Sequence, residues 1–344
     1  MRIISQKSVE LLPGQTIRAT ARVVETNEAR VAAMLLVDKE MEVVTPPSRW
    51  ASALGAIRTG LRTHSGDGDA GALIPGMVLG DTSKQSAQFK DQMKRSGLTH
   101  LVAVSGANFA IVSTFVLWCM QFVIRRKNYR IIATAIALAC FIALVRPSPS
   151  VLRAAAMAAV LLSAQVTKRK TDSLPALGFA IAAVVIGDPW QWRDAGFALS
   201  VLATAGLLLF APVIENHLPT HKKLAGALAP PIAATVFCSP ILVALSGYLS
   251  PMSIFANLLA APFVAPITIV GFIAALVSPV APALTSLLVF IIRVPAGLIV
   301  SIAHWSSGFP VLTIHNGTIG FAIVATLVGF LWLFKKSWRR STAV

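Results

Sequence analysis

From residue 97 onward the chain is written in long apolar stretches separated by short polar ones, whereas its first 96 residues follow a different pattern. Stretches able to cross about 30 Å of hydrocarbon as helices fall at residues 99–124, 130–146, 150–167, 174–187, 195–214, 226–247, 253–278, 283–303 and 317–334. They predict about nine transmembrane helices. The fourth is short, and the seventh carries Pro262 and Pro266, which predict a broken helix.

The beginning of the chain reads otherwise. Between Thr16 and Val24, and again between Arg30 and Val37, apolar and polar residues partly alternate with turn formers between them, as in short strands. Two or three strands alone are marginal in water, so residues 1–45 read as a fragment of a small β domain. Trp50, Leu54, Ile57 and Leu61 then recur at helical spacing with Arg49, Arg58 and Arg62 interleaved, the pattern of an amphipathic helix at a membrane surface. A polar linker from Thr63 to Gly71 follows, in which Asp67 and Asp69 are solvated loop residues rather than a calcium site. The domain reading is thus a β fragment over 1–45, an interfacial helix and linker over 46–96, a membrane domain over 97–335 and a basic tail over 336–344.

Composition fits lipid as the main solvent. Of 344 residues, 56% are hydrophobic and only 13% charged, and the mean hydropathy is +0.73, outside the range of soluble globular domains. The fold class expected is therefore an all-α polytopic membrane protein with broken helices and a small N-terminal β region. The formal charge is +16, but position changes its meaning, because basic loops in membrane proteins report orientation. Arg125, Arg126, Lys127 and Arg130, then Lys168, Arg169 and Lys170, then Lys222 and Lys223, then Lys335, Lys336, Arg339 and Arg340 all fall on one side of the predicted map. This puts the tail in the cytoplasm and residues 1–96 outside. Met1 to Lys7 lack the apolar core of a signal peptide, so further membrane segments are expected upstream, or the chain is a natural truncation.

Four runs place polar groups where lipid disfavours them. The first, Gly97 to Ile111, holds His100, Ser105 and Asn108, and Ser105-Gly106 can break the helix and expose backbone groups. Close packing by small residues is the alternative. The second, Arg146 to Ala158, opens a helix with prolines and serines and sets Arg153 just inside it, either as a contact for a phosphate or buried carboxylate or as a side chain snorkelling to the interface. The third runs from Asp188-Pro189 to Gly206. Asp194 stands where it can cap a helix, Gly196, Ser200 and Thr204 form one small, weakly polar face, and Trp190 and Trp192 suit an interfacial belt. The fourth, Asn257 to Pro266, holds the two prolines of the broken seventh span.

Taken in this order, the four runs resemble the membrane domain of the ComEC family of DNA-uptake channels, over roughly residues 50–310. Matching positions are His100, Ser105, Gly106, Arg153, Asp188, Gly196, Phe197, Ser200, Thr204, Asn257 and Pro262. The resemblance implies an inner-membrane channel that passes single-stranded DNA into the cytoplasm during natural transformation, with the N-terminal strands as the end of an external OB-like domain. It also implies partnership with other competence proteins, such as a DNA receptor and a cytoplasmic motor or nuclease, and leaves a homo-oligomer open. Ala198 departs from a frequent Gln, and Ala107-Asn108-Phe109 from a common Leu-His-Val. Helices ahead of the OB-like domain and a C-terminal metallo-β-lactamase-like domain, which longer members carry, have no counterpart in these residues.

Within the spans Arg153 and Arg293 are the main candidates for phosphate contacts. A secondary transporter or flippase for a small solute or lipid would show similar broken helices, although its expected internal repeat is not evident. A receptor or scaffold subunit serving a separately encoded enzyme is a third reading. No enzyme is expected, since neither paired carboxylates nor a nucleophile and base stand out. No metal or other cofactor is expected either: Cys119, Cys140 and Cys238 lie in apolar runs, the six histidines are scattered, and no P-loop supplies a nucleotide site.

Overall fold

The computed structural model describes residues 2–5, 11–12, 14–25, 34–37, 41–102, 104–145, 149–167, 172–314 and 317–326. Several sequence expectations lie outside the described residues: the strand segment at Arg30 to Ala33, the opening Arg146-Pro147-Ser148 of the second run, the basic loop at Lys168 to Lys170, and the last span beyond Thr326 with its tail.

Five short strands lead the chain. β1 (Arg2–Ser5), β4 (Met34–Val37) and β3 (Ala21–Val24) form one sheet in that order, β1 parallel and β3 antiparallel to β4. β2 (Thr16–Arg18) pairs antiparallel with β5 (Glu42–Thr45) through an irregular register.

Helices follow. α1 (Arg49–His64) begins at Ser48, whose Oγ accepts from the Ala51 N–H. α2 (Gly68–Leu79) and α3 (Ala87–Arg95) come next. α4 (Gly106–Val123), α5 (Lys127–Val145), α10 (Lys222–Ser246), α11 (Ser253–Val277) and α12 (Pro282–Ser307) are each long and apolar enough to cross a membrane. Between them lie α6 (Pro149–Thr167), α7 (Ser173–Gly187), α8 (Ala195–Leu209) and the short α9 (Ala211–Glu215). A last helix covers Gly317–Thr326 among the described residues. β6 (Tyr248–Leu249) pairs with β7 (Leu312–Thr313), joining the chain before α11 to the chain after α12.

The distribution of side chains is that of a membrane protein. Large apolar residues face outward, Phe290 at 71% exposure and Ile186 at 81%, while Arg58, Arg153, Gln85, Gln191 and Asn108 are buried. In lipid the outside is as apolar as the core, and polar groups must be satisfied within the bundle. The molecule is a multi-pass α-helical membrane protein.

Two expectations change. Pro262 and Pro266 do not interrupt the seventh span: α11 is one helix of 25 residues. The prolines take away two backbone donors, a loss that bundle helices tolerate, and both rings lie on the exposed side. The region read as interfacial helix and linker also contains α2, whose residues from Gly71 to Leu79 are all buried. At 12 residues it is roughly 18 Å long, too short to span, and it packs against α11 and α12. α1 buries Ala51, Gly55, Arg58 and Leu61 along one face and leaves Trp50 exposed.

Small residues set the closest approaches, as membrane packing requires. A Cβ on Gly271 would lie 2.5 Å from a Val78 methyl group, one on Gly97 would lie 2.3 Å from the Ser253 Cβ, and one on Gly76 would lie 2.5 Å from the Val102 carbonyl oxygen.

Candidate functional site

The first polar run holds the real break. The segment expected to enter the membrane as a helix at residue 99 forms only a single 3₁₀ turn, Thr99–Leu101, and regular helix starts at Gly106. Ser105 is extended (φ −94°, ψ 164°), and its Oγ accepts from the Asn108 N–H at 3.2 Å. An N-cap serine satisfies one of the donors that every helix start leaves open. Asn108, fully buried, donates from Nδ2 to the Met77 carbonyl of α2 at 3.0 Å, while its Oδ1 has no partner among the described residues. The start of α4 is thereby tied to the end of α2.

Arg153 reaches the same place from α6. It is 6% exposed; Nε donates to the Ser200 Oγ of α8 at 2.9 Å, and Nη1 lies 3.1 Å from the Met157 sulfur. Its Nη2 stands over Gly106, so closely that a Cβ at that position would be 2.5 Å away. Among the described residues Arg153 makes no ion pair with a carboxylate. A guanidinium buried against a hydroxyl and a thioether keeps an uncompensated charge, which is costly in a low-dielectric interior. It also faces the first residue of an 18-residue helix, whose N-terminus carries partial positive charge. Three of the four runs, Ser105-Gly106, Arg153 and Ser200, therefore converge on one point, around a buried arginine, with excess positive potential.

The fourth run touches the first elsewhere. Asn257 donates from Nδ2 to the Ser253 carbonyl at 2.7 Å and approaches the Gly97 carbonyl at 3.5 Å. Gly97 itself has φ +74° and packs on Ser253, so glycine is required there for both backbone and space. Pro262 lies on the exposed side of α11.

The remaining predicted residues lie apart from that point. Asp188 accepts from the Trp190 N–H and from Gln191 Nε2, and Asp194 caps α8 by accepting from the Phe197 N–H at 2.8 Å. Of the small face, Ser200 meets Arg153, Thr204 donates to the Ser200 carbonyl of its own helix, and Gly196 is exposed. His100 lies on the surface of its 3₁₀ turn. Arg293 is exposed on α12 and donates to the Asp67 carbonyl at 3.0 Å, bracing the α1–α2 turn rather than joining Arg153. His304 of the same helix pairs with Asp69 at 3.2 Å.

Sequence reasoning missed the buried supports. Arg58 donates from Nη1 to the Leu79 and Leu144 carbonyls, at the C-terminal ends of α2 and α5, where positive charge is favoured. Gln85 donates to the Val102 carbonyl beside Gly76. The signal for them was the apolar run Ala70 to Leu79, visible but too short to count as a span. Asp81 is held by the Ser83 N–H and by Arg62 at 3.4 Å. Burial opposes its ionisation, yet these donors prevail and keep its carboxyl below the ordinary carboxylate range.

Fold and site together define a polytopic α-helical membrane protein whose core is built around a discontinuous helix and a buried arginine that has no carboxylate partner among the described residues. The family model Competence, described as Competence protein, matches residues 77–341, and the chain belongs to that family. ComE operon protein 3 of Bacillus subtilis (strain 168) is 24% identical to it over 195 residues, which are 57% of this chain and 25% of the relative. The chain thus spans about a quarter of that relative's length. No solved structure matches.

Proposed function

We propose that the chain is the membrane-channel part of a DNA-uptake apparatus, passing single-stranded DNA into the cytoplasm during natural transformation. The observation that carries this is the meeting of Ser105-Gly106, Arg153 and Ser200, from three helices, at one positive point around a buried arginine in a chain of the Competence protein family. A nucleic-acid backbone needs positive, hydrogen-bonding contacts, and conduction needs them sparse enough to release. A single arginine backed by a helix start meets both needs.

In this reading Ser105, Gly106, Asn108, Arg153, Ser200 and Thr204 line or support the path, and Asn257 with Gly97 holds the segment that leads into it. Asp188, Asp194 and Gly196 position α8, while His100, Pro262 and Arg293 are peripheral. The C-terminus is cytoplasmic, as the basic loops support. The chain works with a DNA receptor and with a cytoplasmic motor or nuclease. In its native host, Arg153→Ala should lower uptake of labelled transforming DNA at least tenfold with stable protein in the membrane, and Asn257→Ala should lower it less. Normal uptake by stable Arg153→Ala protein would remove Arg153 from the path.

A further inference from the structure

We infer that Arg153 Nη2 and the N–H groups at the start of α4, which lie side by side at Gly106, together seat one backbone phosphate of the translocating strand. The inference rests on the DNA-conducting reading and adds where, and through which atoms, the strand is gripped.

Four observations converge on it. Arg153 is more than nine-tenths buried, with no carboxylate in ion-pair reach among the described residues. Its Nε is occupied by Ser200, which fixes the guanidinium plane, while Nη2 makes no hydrogen bond to any described residue. Nη2 is directed at Gly106, the first residue of α4. The Asn108 N–H is used by the Ser105 cap and the Phe109 N–H by the Ser105 carbonyl, so the N–H groups left without an intrahelical partner are those of Gly106 and Ala107. Donors from two helices thus face one another with no acceptor between them. An oxyanion is the chemical class that completes such a site.

A strand phosphate fits better than a lipid headgroup. The other side chain beside Gly106 is Ala154, 9% exposed, and Arg153 itself is 6% exposed, so the guanidinium is enclosed by protein, while Ala107 at the helix start is exposed. Gly106 is part of the design, because any side chain there would push the guanidinium off the helix start. A phosphodiester offers one charge and two free oxygens, matching one guanidinium edge and one helix start, and can leave as the next phosphate arrives.

The test uses the whole chain reconstituted in phosphatidylcholine vesicles, with a fluorescent oligothymidylate followed by anisotropy across a salt series. Arg153→Gln and Gly106→Ala should each weaken binding roughly tenfold and flatten the plot of log affinity against log salt by about 0.7, the share of one phosphate contact on a single strand. Arg153→Lys should keep the slope and lose part of the affinity, since lysine holds charge without the fork. A methylphosphonate strand of the same length should not distinguish wild type from Arg153→Gln. If wild type binds the phosphodiester strand and both variants match it in affinity and slope, the seat is wrong while the channel reading stands. If wild type binds no strand, the channel reading falls with it. Phosphatidylglycerol retained by wild type and lost from Arg153→Gln, with strand binding unchanged, would make the site a lipid seat and overturn the inference. Should Arg153→Gln fail to fold, Gly106→Ala, which keeps the arginine, carries the same comparison.

Discussion

The helices around α2 and those from α7 to α10 are made of similar residues, yet they are held in different ways. Around α2 a single buried cluster runs from Leu61 through Phe109 and Phe272 to Ala303, with Gly76, Gly97 and Gly271 admitting neighbours at sub-van-der-Waals distance from any added Cβ. In the second group the buried cluster is Ala211, Ala229 and Ala233 with Phe210 and Ile214 against it, and Gly178 and Gly187 of α7 have nothing within 4 Å. Apolarity does not make this difference, because lipid competes equally for apolar faces. Close backbone approach and polar bonds do. The α2 group is a scaffold, the α8–α10 group a flank, and Arg153 bonded to Ser200 bridges them.

The largest test of that contrast is Arg58→Met. It removes the donor to two buried carbonyls, and roughly 3 kcal/mol of stability should go with it, read as a lower Tm in detergent. A Tm within a degree of wild type would mean that α2 does not depend on its cap. Next, Gly271→Val should cost about 2 kcal/mol by forcing α11 away from Val78, with dye accessibility of buried side chains rising alongside. Gly178→Ala in the flank should do the reverse, adding about 0.5–1 kcal/mol through helix propensity alone; a destabilised variant would reveal a neighbour on that face.

The smallest effect belongs to Asp81, next to the Arg62 partner on α1. Its folded carboxyl titrates below the ordinary range, so its contribution is present above about pH 4, the unfolded value, and fades as pH falls through the folded value. The Tm gap between wild type and Asp81→Asn should therefore be widest near neutrality and close in acid. A gap that widened on acidification would reverse the assignment.

The contrast also explains what could be read early. Most spans, the strands at Thr16 to Val24 and Met34 to Val37, and the Asp194 cap follow from local rules, namely length, alternation and the need of a helix start for an acceptor. The hidden parts depend on partners distant in sequence. Arg58 is indistinguishable from Arg62 by pattern, yet one lies beneath two helix ends and the other on a partly exposed ion pair. Pro262 and Pro266 look like a break, and Ser105 looks milder, but the helix runs through the prolines and begins only after the serine.

By itself the sequence determined that this protein lives in lipid, roughly where its helices run, and which four runs carry polar groups, because hydrophobic length and spacing are local quantities. Tertiary structure alone decided that α2 is buried, that Asn108 ties it to α4, and that Arg153 meets Gly106 and Ser200 with no carboxylate partner among the described residues. The physical reason is that desolvation and pairing of a charge depend on what the rest of the chain brings near it, and no window of sequence contains that neighbourhood.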